Sequence, residues 1–203
     1  MLEKQKNNDE QEKEELIKLI LNSTNKTFKL LNNLLDWSRT QTQQIEFSPK
    51  EIGLEEIFFE IILQMNPIAK QKNISISYQL DNAVMIYADK YMLNSILRNL
   101  ISNAIKFTKQ NGKIELKTSE KNKNLIISVS DTGIGIDKQM QQRIFEISEK
   151  TTTEGTENEK GTGLGLILCK EFIEKHGGKI WVKSKKNIGS AFSFSIPKET
   201  NKS

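Results

Sequence analysis

Two runs of alternating apolar residues, 112–119 and 125–129, constrain this chain most. Only the polar turn 120–124 separates them, and adjacent strands so joined pair as an antiparallel hairpin. A strong helical period over 89–107 precedes the pair, and strand-like runs at 74–80 and 84–87 come before that helix. A helix at about 163–176 and strands at 179–184 and 190–196 close the chain. Helices segregated on one face of a mixed sheet fit this order better than a doubly wound parallel fold. The expected class is therefore α+β: a two-layer α/β sandwich with a mixed, mostly antiparallel sheet.

Upstream, Ile17, Leu21, Phe28, Leu31 and Leu35 are spaced by four, seven, three and four, which is one face of a long helix. Such a helix cannot bury its stripe alone, so it needs a partner helix or must fold back on the body. After Pro49 and Gly53, the residues Leu54, Ile57, Phe58, Ile61, Ile62 and Met65 mark a second amphipathic helix, with Pro67 near its end. A boundary at about residue 48 divides the chain into 1–48 and 49–203. This agrees with its 203 residues, since single domains usually hold about 100–150.

The formal charge of +4 is small and evenly spread, which gives no argument for nucleic acid as a partner. Lys179, Lys183, Lys185 and Lys186 read as a solvated strand edge. Cys169 is the only cysteine, which excludes a disulfide within the chain and a cysteine-based zinc site. The longest apolar stretch, 57–63, is interrupted by Glu60 and falls short of the roughly 18 residues of a membrane span. A cytoplasmic chain is expected. Residues 146–160 are rich in Thr, Glu and Lys with no apolar period, and they read as a mobile loop.

Two glycine clusters carry the chemistry, DTGIGI at 131–136 and GTGLGL at 161–166. The first follows a strand and precedes a helical segment, and the second opens a helix, the setting in which backbone N–H groups and the helix dipole favour phosphate. No Gly-Lys-Ser/Thr follows either, so neither is a Walker loop. Each cluster alone is also compatible with an ordinary turn. On the helix NLISNAIKFT, Asn99, Asn103, Lys106 and Phe107 fall at i, i+4, i+7 and i+8. An amide oxygen suits Mg²⁺ and an ammonium suits phosphate, although these are also ordinary exposed positions. Asp131, after a buried strand, is placed to accept a hydrogen bond from an adenine amino group. Asp before Gly is equally common in turns.

Taken in order, the Asn-rich helix, the Asp-Gly box, the polar loop and the Gly-rich helix start resemble the GHKL (Bergerat) ATP-binding fold over 52–197. More narrowly, they resemble the catalytic domain of sensor histidine kinases. NLISNAIKFT resembles the N box, DTGIGI the first G box, IFE at 144–146 a shortened F box, and GTGLGL the second G box. GSAFSFSIP at 189–197 is similar to the last strand of that fold, and HGGKI at 176–180 to one of its turns. The resemblance implies ATP as substrate and Asn103 as the Mg²⁺ ligand, with Asn99 assisting. It places Lys106 and the second box, from Lys160 through Gly161, Thr162, Gly163, Leu164 and Gly165, at the phosphates. Asp131 is implied at the adenine, with Gly133, Gly135 and Phe107 also at the nucleotide, and 146–160 as the ATP lid.

GHKL ATPases of the gyrase and chaperone type carry a glutamate four residues before the metal-binding asparagine, as general base on water. Here that position is Asn99, and an amide takes no proton at neutral pH. Phosphate transfer to an imidazole becomes the better reading. LLNNLLDWSR at 30–39 is similar to the end of the second helix of the dimerisation and phosphotransfer hairpin. The resemblance thus implies a phosphoacceptor histidine on a separate helix, a response regulator as partner and a homodimer in the full-length protein, and it leaves open a membrane anchor on that parent. His176 is the only histidine and reads as a turn residue. Two other readings stay open: a nucleotide-binding signalling module without catalysis, and a GHKL-type ATPase or serine kinase.

Overall fold

The computed structural model describes residues 13, 16–17, 20–21, 23–24, 27–28, 30–31, 34–35, 38, 46–80, 84–146, 154–157, 159 and 163–198. The chain forms two compact units, 1–45 and 46–203. In the first, every described residue from 13 to 38 is helical (α1). Its apolar residues Leu16, Ile17, Ile20, Leu21, Phe28, Leu31, Leu34 and Leu35 are all exposed.

The second unit opens with β1 (Lys50–Gly53), which pairs antiparallel with β3 (Met85–Ala88) in a small separate sheet. β1 had no signal in the periodicity, because four residues around a proline and a glycine are too few to show one. Between β1 and β3 lie α2 (Leu54–Gln71) and β2 (Ser75–Gln79). α2 ends at Gln71, four residues past Pro67, so the proline lies near its end as expected. The hydrogen bond that proline forfeits would go to the carbonyl of Leu63, and Leu63 lies on the exposed face, where solvent can take its place.

α3 (Lys90–Phe107) starts where a side chain can hold it: the Asp89 carboxylate accepts from the Met92 N–H at 3.0 Å. Its inner face buries Met92, Leu93, Ile96, Leu97, Leu100, Ile101, Ala104 and Ile105. β4 (Lys113–Lys121), β5 (Asn124–Asp131), β6 (Ile180–Lys185) and β7 (Gly189–Pro197) join β2 in a five-stranded sheet ordered β2-β4-β5-β7-β6. Only β2 and β4 run parallel. The register aligns Leu116, Val129, Phe192 and Val182 in one row, and Thr118, Ile127, Phe194 and Ile180 in the next. Their period of two puts both rows on the face that packs against α2, α3 and α5 (Gly165–Lys175). Between β5 and α5 come the first glycine cluster, α4 (Lys138–Arg143) and the segment that leads to the second glycine cluster. The architecture is the α+β sandwich the sequence implied.

Candidate functional site

At the ends of β5 and β7 the chain leaves a cavity of about 130 Å³, lined by Phe107, Ile134, Ile136, Met140, Ile144, Leu166 and Phe192 among apolar residues. Asn103, Asp131, Asp137, Lys186 and Ser190 are the polar ones. Asp131 is the last residue of β5, and its Oδ1 accepts from the Gly133 N–H at 2.8 Å and the Ser190 N–H at 3.2 Å. Among the described residues nothing donates to Oδ2, which is left for a ligand. Burial pushes the carboxyl above its ordinary range, and the two N–H bonds oppose that rise. A fixed carboxylate oxygen in an apolar cavity is built to take a hydrogen bond from an N–H of an otherwise apolar, planar group.

The glycines explain how the turn is braced. A Cβ on Gly133 would stand 2.4 Å from the Phe107 carbonyl oxygen, and the Ile134 N–H donates to that same oxygen at 3.1 Å. The turn is thereby strapped to the end of α3. Gly135 has φ +67°, and a Cβ there would meet the Lys185 carbonyl oxygen at 2.1 Å. The β6–β7 turn closes the other side, with the Asn187 N–H on the Ile134 carbonyl and the Ile136 N–H on Ser184 Oγ at 2.7 Å. Phe145 of the IFE segment packs edge-on against Phe192, 6.3 Å between centroids. That contact sets Ile144 in the cavity wall.

The four N-box positions diverge. Asn103 lines the cavity, is half-buried and makes no hydrogen bond among the described residues, so a neutral hard oxygen is available there. That chemistry fits Mg²⁺, which takes one or two protein oxygens and fills its octahedron with phosphate and water. No cluster of three or more His, Cys, Asp or Glu able to hold a metal occurs among the described residues. Asn99 does not line the cavity: its Nδ2 donates to the Ser95 carbonyl at 3.1 Å, and its Oδ1 would stand 2.9 Å from a Cβ on Gly165. It spaces α3 from α5. Lys106 holds its Nζ 4.5 Å from the centroid of the Phe107 ring, and Phe107 lines the cavity.

Gly163 adopts φ +76° and Leu164 is the N-cap of α5. Asp89 and Asp137 cap α3 and α4 with their carboxylates, but Leu164 has no oxygen to offer, and among the described residues no side chain caps α5. Among the described residues nothing accepts from the N–H groups of Gly165, Leu166 and Ile167, which can therefore face a ligand, and Leu166 lines the cavity. Lys160, Gly161 and Thr162 lie outside the described residues, as does most of 147–160. Residues 154–157 and 159 are described, and they are bound to the body by polar contacts where no apolar anchor was expected.

Sequence reasoning missed two lysines. Lys186, which reads in the sequence as part of a solvated edge, lines the cavity. Lys72, the C-cap residue of α2, is buried against the end of α3. Nothing local distinguishes either from a surface lysine. His176 is buried as well: its Nε2 accepts from the Asp89 N–H at 3.0 Å, so Nδ1 carries the proton and donates to the Phe172 carbonyl at 2.7 Å. Both ring nitrogens are engaged, and the residue is the C-cap of α5, in the turn the sequence suggested.

Residues 88–200 match the family described as histidine kinase-, DNA gyrase B-, and HSP90-like ATPase. The adaptive-response sensory kinase SasA of Crocosphaera subtropica is 35% identical over 206 residues, covering 97% of this chain and 53% of SasA. The chain spans about half the length of that relative. The catalytic domain of histidine kinase ThkA superposes with a TM-score of 0.65 at 34% identity, over 76% of this chain and 97% of that one. ThkA in complex with the response regulator protein TrrA gives 0.71 at 27% identity, over 91% and 51%.

Proposed function

Since the chain belongs to the family of histidine kinase-, DNA gyrase B- and HSP90-like ATPases and carries the ATP-binding catalytic domain of sensor histidine kinases, we propose that it transfers the γ-phosphate of ATP to a histidine presented by a separate helix. The observation that carries this reading is Asn99. At the place where related ATPases hold a general base, this chain has an amide tied to the Ser95 carbonyl and packed against α5. No group there removes a proton from water, so the γ-phosphate is spent on a nucleophile that needs no such help. Imidazole is one.

The division of labour follows from the cavity. Asp131 Oδ2 accepts from the adenine amino group while the apolar walls hold the ring. The uncapped start of α5 and Lys106 face the phosphates, and Asn103 Oδ1 holds Mg²⁺ with Asn99 behind it. The ion supplies charge neutralisation on the phosphate oxygens. Lys160, Gly161 and Thr162 belong to the same phosphate-binding turn in this proposal. Phosphoryl transfer is mainly positioning and electrostatics, which suits a site of backbone N–H groups, an amide and a lysine.

Residues 1–48 are read as part of a dimerisation and phosphotransfer hairpin. The exposed stripe of α1, from Leu16 to Leu35, supports this, because such a seam is what a partner helix covers. The partners proposed are that helix, a second copy in the full-length protein and a response regulator of the kind ThkA is bound to. The reaction is placed in the cytoplasm. Among the described residues, no helix is long and apolar enough to cross a membrane.

Labelled ATP, incubated with this chain and a separately supplied cognate hairpin, should give acid-labile, base-stable label on the hairpin and none on this chain. Label at His176 overturns the reading. ATP binding without transfer to a well-folded acceptor would instead mark a non-catalytic nucleotide-binding module.

A further inference from the structure

Lys72 is an interior lysine that the nucleotide site does not explain. Its side chain is 5% exposed, and its Nζ lies 3.3 Å from the Ile105 carbonyl, 3.3 Å from the Lys106 carbonyl, 2.9 Å from Thr156 Oγ1 and 2.7 Å from Glu159 Oε1. A buried ammonium is costly unless it is paired and hydrogen-bonded, and here it is both. Two of its acceptors are the last-turn carbonyls of α3, the negative end of the helix that carries Asn103 and Phe107. The other two belong to the segment before the second glycine box.

That segment is a closed turn. The Gly155 N–H donates to the Glu159 carbonyl at 2.9 Å, and the Glu157 N–H to Glu159 Oε2 at 2.8 Å. The Thr156 N–H donates to the Lys106 carbonyl at 3.0 Å, and its hydroxyl lies 3.1 Å from the Thr108 carbonyl. Each Glu159 oxygen thus has its own donor, one from the body and one from the turn. Burial alone would push the Glu159 carboxyl up, but the Lys72 ammonium and the Glu157 N–H more than offset it and hold the group below its ordinary range.

We propose that Lys72 is a positioning residue for nucleotide binding: paired with Glu159 and Thr156, it staples the turn 155–159 to the end of α3 and thereby fixes the approach to the second glycine box. This rests on reading that box as the phosphate site. With Glu159 fixed to α3 and Gly163 at the start of α5, only residues 160–162 lie between two held points. Without the Lys72 pair, Glu159 is no longer tied to α3, and only the Thr156 N–H and hydroxyl hold the turn there. Loss of a charge pair that is part-exposed on one side weakens what it positions by up to about fivefold.

The test uses the whole chain, with calorimetric affinities for ATP and adenosine and with hydrogen exchange at 154–157. Glu159→Gln keeps Lys72 on the α3 carbonyls and removes the charge pair. It should weaken ATP by up to about fivefold, leave adenosine unchanged and speed exchange at 154–157. Lys72→Met should do the same, and the double variant should be no weaker than either single one. If Lys72→Met fails to fold, Glu159→Gln and Thr156→Val carry the test. Unchanged ATP affinity in these variants, or an equal loss for adenosine, overturns the staple. Failure of the wild-type chain to bind ATP overturns the phosphate-site reading itself, and the staple with it.

Discussion

Changing Asp131 to asparagine should alter which purine the cavity prefers. Oδ1 already accepts from the Gly133 and Ser190 N–H groups, and an amide oxygen keeps both bonds, so the turn and the fold are retained. The change falls on the other terminal atom, where an acceptor becomes an NH₂ donor facing the donor amino group of adenine. A hydrogen bond to a charged acceptor contributes about 1.5–3 kcal/mol, so ATP should bind roughly 10- to 150-fold more weakly. Inosine triphosphate carries an oxygen at the same ring position. It should be repelled by the wild-type carboxylate and should accept from the amide that D131N introduces. Competition of both nucleotides against a fluorescent ATP analogue measures the ratio, with far-UV circular dichroism as the control for folding. The wild type should prefer ATP by at least about tenfold, the lower end of that bond's contribution, and D131N should lose or reverse the preference. An ATP-to-ITP ratio that D131N leaves unchanged would refute the placement of adenine at this carboxylate.

Asn103→Ala should abolish the Mg²⁺ enhancement of ATP binding while sparing metal-free ADP, which calorimetry with and without chelator will show. Gly178→Ala should destabilise the chain by about 1–3 kcal/mol in urea denaturation, because its Cβ would fall 1.8 Å from the Ser195 carbonyl oxygen and β7 would have to move. His176 gives a pH dependence of defined sign. Burial, opposed by the Phe172 carbonyl and Asp89, holds its pKa below the ordinary 6.5. The unfolded chain therefore takes up a proton that the folded one refuses, so stability is full above pH 6.5 and falls as pH drops below it. Denaturation midpoints at pH 7.5 and about 5.5 should differ less in His176→Gln than in the wild type, and an equal difference would remove His176 as the cause.

The sequence by itself determined the elements whose signals are local. The apolar period over 89–107 places α3 within one residue, and the alternation of 112–119 and 125–129 yields the β4–β5 hairpin, although its turn is the pair 122–123 and not 120–124, so the register came from the structure. The glycine boxes were legible for the same reason, since a glycine that abuts a carbonyl or adopts positive φ leaves a mark at its own position. Other features depend on segments distant in the chain. β1 exists because Lys50–Gly53 meets Met85–Ala88, and β2 runs parallel to β4 only because α3 lies between them. Asn99 and Asn103 look alike on a helical wheel, yet packing against Gly165 takes one out of the cavity and leaves the other in it. Lys72 and Lys186 make the same point. A long flexible side chain carries no local signal of its partner, and whether it ends in water or on buried carbonyls and a cavity wall is decided when remote strands and helices close around it.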